Sequence, residues 1–211
     1  MKITKFVHSC LLVEAPEINV LIDPGNFTWD SRLLRVDKLP NLDYVVVTHE
    51  HPDHYDEHGL KVLSGHFPHA IIITNNDLAE KIATLQLPNT VHAGSDDSLV
   101  VFEAAHEPLP LNTPSVLNIG VHVVNKLTHA GDSFALENTR EILALPLTGP
   151  FASYKRALDV IVKLKPKIVL PLHDWEWHKA ARQNRYSRAK ELLKSRNIEF
   201  IELENAEPVE L

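Results

Sequence analysis

Cysteine occurs once, at Cys10, in a chain of 211 residues. That excludes an internal disulfide and any zinc module built on several thiolates. Glycine is sparse too, at 7 residues, and no Gly- or Ser-rich linker, low-complexity tract or short repeat divides the chain. Positive charge is in deficit: 21 Lys+Arg against 28 Asp+Glu leave a formal charge of −7. A general nucleic-acid binder rests on a basic footprint, so the balance argues against nucleic acid as a partner. Long apolar runs are also missing. The longest uncharged stretch, Pro108 to Asn125, holds three prolines, three asparagines and a histidine, a composition no membrane-spanning helix tolerates. The first residues carry Lys2 and Lys5, then an apolar run with His8 inside it that stops at Glu14. This is too short and too polar for a signal peptide. The expectation is a soluble, cytoplasmic protein.

What the chain has in excess is histidine, 13 residues in all, against an otherwise ordinary 44% apolar and 23% charged composition. Short β-patterned runs cover 3–7, 10–14 and 19–22, and the segment from Asp23 to Pro40 reads as a long functional loop. Residues 43–48 form a continuous apolar strand of the kind covered on both faces. From Asp56 the pattern turns helical, with Leu60 and Leu63 on one face, and alternation continues through 70–74, 77–85 and 90–92. The second half predicts a meander over 99–104, 116–124 and 126–129, then a strand at 142–145 and a helix over 153–163. A strand at 167–170, a helix over 176–195, a strand at 198–201 and a frayed acidic tail after Glu202 complete it. Strands followed by β–α alternation in each half predict an α/β fold of two mixed sheets face to face with helices outside. One domain spanning 1–211 accommodates this.

The chemistry is concentrated in Thr48-His49-Glu50-His51-Pro52-Asp53-His54-Tyr55-Asp56, where four potential metal ligands fall within residues 49–54. The motif follows the carboxyl end of a strand, where α/β sheets present their ligands. His49 and His51 alternate in extended backbone and can point the same way; Pro52 then bends the chain and presents Asp53 and His54 from a second direction. Imidazole and carboxylate suit Zn, Mn or Fe. The bland alternative is a polar loop capping a helix. Further donors stand after other strands: His106 after Phe102-Glu-Ala-Ala, Asp132 in His129-Ala-Gly131-Asp132, and His173 in Leu170-Pro-Leu-His173.

This order of residues resembles the metallo-β-lactamase superfamily of binuclear metallohydrolases. It is most similar to the branch of ascorbate-6-phosphate lactonase and the N-acyl-phosphatidylethanolamine phospholipase D enzymes, through His8-Ser9-Cys10, Leu21-Ile22-Asp23-Pro24, Asp56 and the block from Leu147-Thr-Gly-Pro150 to His173. The resemblance implies a four-layer αββα sandwich. By position, His49, His51 and His106 would hold a first metal, Asp53, His54 and His173 a second, and Asp132 would bridge them. The cofactors so implied are two divalent ions, Zn2+ first, with Mn2+ or Fe2+ as alternatives. A bridging hydroxide, oriented by Asp53, would attack an ester, lactone or similar bond of a small substrate, phosphorylated ones included. A phosphodiesterase using the same metals and a metal-binding protein without turnover are the competing readings.

Around this set, Asp23 and Asp56 are candidates to orient the ligand imidazoles; Asp56 could simply cap its helix, a role that does not exclude the other. His8 and His129 are candidates to face the pocket, against the alternative of hydrogen-bonded, partly buried imidazoles. His58, His66, His69, His92, His122 and His178 have no matching context and read as surface or strand-face residues. Cys10 reads as a small strand residue rather than a nucleophile. Lys155 and Arg156 could meet an anionic substrate, with a solvated helix face as the simpler account. Sheet edges leave homo-oligomers open, and a small molecule is the expected partner.

Overall fold

The computed structural model describes residues 1–95 and 98–211. The first half contains β1 (Lys2–Lys5), β2 (Leu11–Ala15), β3 (Ile18–Ile22), α1 (Asn26–Ser31), β4 (Tyr44–Val46), α2 (Glu57–His66), β5 (Ile71–Ile73), α3 (Asn76–Ala83) and β6 (Val91–His92). The second contains β7 (Leu99–Glu103), β8 (Ile119–Val123), β9 (Leu127–His129), β10 (Ile142–Pro146), α4 (Tyr154–Leu164), β11 (Ile168–Leu172), α5 (Lys179–Lys194), β12 (Glu199–Phe200) and β13 (Pro208–Glu210).

Seven strands make one sheet, in the order β13-β1-β2-β3-β4-β5-β6, and six make the other, β12-β11-β10-β9-β8-β7. Each sheet has an antiparallel part and a parallel part. Side chains alternate across both. In β2, Leu11 and Val13 point into the core between the sheets and Leu12 points outward. In β10, Ile142 and Ala144 point in while Leu143 and Leu145 point out. Helices cover the outward rows, with Leu60, Leu63, Leu78 and Ile82 on the first sheet and Ala157, Ile161, Tyr186 and Leu193 on the second. The result is an α/β fold of four layers, αββα, and coverage of both strand faces is why the strands read as unbroken apolar runs.

Three expectations need correction. The segment 23–40 is not a bare flap: α1 lies in it, pinned because the Trp29 indole donates to the Pro24 carbonyl at 2.8 Å and lies against Gly59 of α2, where a Cβ would clash. The tail is not frayed. Val209 pairs with Ile3, and Val209 and Leu211 pack on the core between the sheets. Finally, α5 starts three residues later than its pattern suggests, because Trp175 to Trp177 form a turn before the His178 cap. Among the described residues no helix is long and apolar enough to cross a membrane.

Candidate metal centre

The two sheets present their loops along one edge. Parallel β3 and β4 end there in Asp23 and Thr48–His54, and β7, β9 and β11 lead into His106, Asp132 and His173. Backbone at three of these exits takes the left-handed region: φ is 49° at Asp23, 56° at Gly131 and 60° at His173, with His8 at 57° after β1. At Asp23, His8 and His173 these values turn the chain sharply as it leaves its strand. Gly131 also has no room for a side chain, since a Cβ would lie 2.1 Å from Asn118 Oδ1. Gly25 serves the opposite wall: a Cβ there would stand 2.1 Å from the Asp53 carbonyl, so its absence lets the loop after β3 lie on the motif.

Two clusters result. His49, His51, His106 and Asp132 form one that could hold a metal ion; His8, Asp53, His54 and His173 form the other, with ligand atoms in each within 4.8 Å of one another. Asp132 stands between them. Its Oδ1 is 2.9 Å from His173 Nε2 and 3.3 Å from His54 Nε2, while its Oδ2 is 3.7 Å from His106 Nε2 and 3.9 Å from His49 Nε2. The loop carrying it is tied by Asn118, which accepts from Asp132 N–H at 3.1 Å and donates to the Ala104 and Ala130 carbonyls.

Hydrogen bonds behind the clusters fix the imidazole tautomers. The Thr48 hydroxyl gives its proton to Asp23 Oδ2 at 2.9 Å, so His49 Nδ1, 3.0 Å from the Thr48 Oγ1, donates to that hydroxyl oxygen. His54 Nδ1 donates to Asp23 Oδ2 at 2.7 Å and His106 Nδ1 to the Glu107 carbonyl at 2.6 Å. All three rings therefore turn Nε2 inward.

Side chains alone do not satisfy this arrangement. His49 Nε2 faces His51 Nδ1 at 3.1 Å, and His54 Nε2 faces His173 Nε2 at 3.1 Å. Nitrogens bound together to one tetrahedral ion at about 2.0–2.1 Å stand about 3.3–3.4 Å apart, close to these separations. His106 Nε2 is buried with no hydrogen-bond partner. Asp23 and Asp132 are both buried and, among the described residues, neither pairs with Lys or Arg. The donor set fits cations.

Charge responds accordingly. Burial opposes a charged His54, yet Asp132 and Asp23 outweigh it and raise its pKa well above the ordinary imidazole value. Burial, then the His54 charge, pushes His49 down; burial and His106 do the same to His51. Burial would raise Asp53, but the His8 hydrogen bond and the neighbouring imidazoles of His54 and His173 hold it below the usual carboxylate range. His8 itself is lowered to about 4, by burial and then by His173. Its Nε2 sits 3.0 Å from Asp53 Oδ2 and its ring stacks on His173 with centroids 3.8 Å apart.

The remaining candidates divide. Asp23 takes the orienting position; Asp56 caps α2, accepting from Gly59 N–H at 2.6 Å, and makes no hydrogen bond to an imidazole among the described residues. His129 lies behind the clusters rather than at the cavity, fully buried, with Nε2 on the Ser9 carbonyl and Nδ1 accepting from Gly131 N–H. Cys10 is buried and its thiol is pushed up by that burial. Lys155 pairs with Asp159 one helical turn on, and Arg156 reaches Glu107 Oε2 at 2.7 Å, so both serve structure.

Sequence reasoning missed Thr48, Glu107, Asn118 and the buried pair of Lys5 and Asp174. Lys5 Nζ donates to Asp174 at 2.8 and 2.9 Å; Tyr186 and Arg182 complete the contacts of that carboxylate, anchoring the turn just after His173. A lysine inside the β-patterned run 3–7 was the one available signal.

Residues 2–173 match the model of a family described as "Beta-lactamase superfamily domain". Protein Rv0786c of Mycobacterium tuberculosis is 27% identical over 184 residues, 82% of this chain and 84% of that protein. The "UPF0173 metal-dependent hydrolase NEQ378" of Nanoarchaeum equitans is 27% identical over 201 residues, 84% of this chain and 85% of its own. Igni18, described as a novel metallo hydrolase from Ignicoccus hospitalis, superposes with a TM-score of 0.74 at 19% identity, covering 99% of this chain and 97% of that one, and so shares the fold. With the family model spanning most of the sequence and the same sandwich in its neighbours, the chain belongs to the beta-lactamase superfamily domain family.

Proposed function

We propose that the chain is a binuclear metal-dependent hydrolase acting on an ester, lactone or similar bond of a small substrate, with residues 1–211 working as one unit. The observation that carries this reading is the placement of Asp132 between two His-rich clusters. His49, His51 and His106 would hold one ion, Asp53, His54 and His173 the other, and Asp132 would touch both. Such ions, Zn2+ first and Mn2+ or Fe2+ as alternatives, would supply a water acidic enough to attack at neutral pH and would draw charge from the carbonyl oxygen of the group under attack.

The protein's own groups do the rest. Asp53 is the most exposed of the acidic donors, at 26%, and lines a cavity of about 300 Å³. Held ionised, it accepts a hydrogen bond from the attacking water and so fixes the direction of attack. His8 grips Asp53 Oδ2 and keeps that carboxylate from rotating. Asp23, through Thr48 and His54, keeps Nε2 lone pairs turned inward. His129 acts as a brace between the loops after β1 and β9.

Elemental mass spectrometry of the purified protein, before any chelator, is expected to give close to two transition-metal ions per chain. Asp132→Ala is expected to leave one or none and to cut kcat/KM on ester and lactone substrates by at least about a hundredfold. Full activity in that variant sinks the binuclear reading. Turnover of bis(p-nitrophenyl) phosphate with none of esters or lactones moves the reaction to phosphorus.

A further inference from the structure

The cavity beside the second cluster has a charge pattern that the hydrolytic chemistry leaves unused. Asn26, Phe27, Pro52, Thr148 and Glu176 wall it around His8, Asp53 and His173, and no Lys or Arg lines it. A larger cavity of about 680 Å³ reaches His106 from the other side; Asp77 and Glu103 line it, again without Lys or Arg. Three cations on the surrounding elements are engaged with other carboxylates. Arg156 lies 2.7 Å from Glu107, Lys81 lies 3.2 Å from Glu50, and Arg182 lies 2.9 Å from Asp174.

Glu176 differs from those carboxylates. It is exposed, sits in the turn that follows His173, faces the cavity mouth, and makes no hydrogen bond or ion pair with any described residue. Aromatic surface stands next to it: Phe27 lines the same cavity and packs on Trp175, which is 43% exposed, with ring centroids 6.5 Å apart. A free carboxylate beside aromatic faces attracts an organic cation and repels an anion. The ions would answer the charge that develops at the reacting bond; the far end of the substrate is what Glu176 meets.

We infer, resting on the hydrolase reading above, that the site takes substrates whose non-reacting end is a cationic alkylammonium group and disfavours phosphorylated or carboxylate-tailed ones, with Glu176 as the specificity-determining residue. The substrate class thereby narrows to small-molecule esters without a phosphate.

The test uses the metal-loaded full chain and three thioesters sharing one acyl group. These are butyrylthiocholine, its uncharged 3,3-dimethylbutyl isostere, and S-butyryl-3-mercaptopropanoate. The choline ester is expected to exceed the neutral one in kcat/KM by about fivefold, with the anionic ester slowest. Glu176→Gln should erase the first difference, and Glu176→Lys should reverse the order of the two charged esters. A second readout needs no turnover: benzyltrimethylammonium titrated against tryptophan fluorescence should bind about tenfold more weakly to the Glu176→Lys protein. An anionic ester that matches the cationic one in the unmodified protein overturns the inference, as does a Glu176→Lys protein with unchanged ratio and unchanged Kd. Should no thioester turn over while the benzyltrimethylammonium shift holds, the hydrolase reading fails and the charge preference stands.

Discussion

Both oxygens of Asp23 are committed. Oδ1 accepts from Thr48 N–H at 2.8 Å, and Oδ2 accepts from the Thr48 hydroxyl and from His54 Nδ1 at 2.9 and 2.7 Å. All three partners donate, so an amide in place of the carboxylate points its NH2 group at a donor on at least one side. Asp23→Asn is therefore expected to keep the fold, since the volume is unchanged, but to let His54 and His49 turn. Loss of such an outer hydrogen bond typically weakens metal binding by about 10–100-fold. Competition with a chromophoric zinc chelator measures this directly. An unchanged affinity would mean that the imidazoles are held by packing alone.

At the scale of single elements, β8 carries a titration unconnected with the metal centre. His122 is buried on that strand, hydrogen-bonded through Nδ1 to Thr128 Oγ1 at 2.9 Å and stacked on Phe102 with centroids 4.5 Å apart. Burial first, and Arg140 second, lower its pKa to about 4. The unfolded chain takes up this proton near pH 6.5 and the folded one only near 4. Stability is thus full above about pH 6.5 and falls on acidification through that window, by between about 1 and 3 kcal/mol from this residue. His122→Gln should flatten the difference in Tm between pH 7 and pH 4.5 relative to the unmodified protein; identical slopes would contradict it.

The same scale separates what was legible in the sequence from what was not. Strand β4 and the motif after it were readable because the residues that matter are contiguous, from Tyr44 to His54. His106, Asp132 and His173 were readable only as a set, each sitting one step past an apolar run. Their supports were not. Glu107 holds the His106 loop by accepting from Phe134 N–H and pairing with Arg156, and Asn118 spans the loops after β7 and β9. Lys5 meets Asp174 across 169 residues. Such contacts depend on how two sheets superpose, which no local spacing encodes. Segment 23–40 was misread for a related reason: a six-residue helix is too short to show a period, and Trp29 stabilises it only once Gly59 has arrived.

Across the whole molecule, each cluster draws on both sheets. His49 and His51 follow a strand of the first sheet while His106 follows one of the second; His54 and His173 divide the same way. Bound ions therefore join the two halves of the sandwich and bind only the folded chain. At free metal about a thousandfold above Kd, linkage adds about 4 kcal/mol, which in a chain of this size raises Tm by about 8–16 °C. Calorimetry with and without a chelator should show that shift, reversible on adding Zn2+ or Mn2+; a Tm indifferent to chelation would show the centre to be decoupled from folding. The turns at His8 and His173, with φ of 57° and 60°, push in the opposite direction. Each holds an L-residue where glycine sits without strain, at about 1–2 kcal/mol. A chain with glycine at both places would shed that strain and lose the centre with it. The two imidazoles are thus held at a cost in backbone energy, one that bound metal would offset.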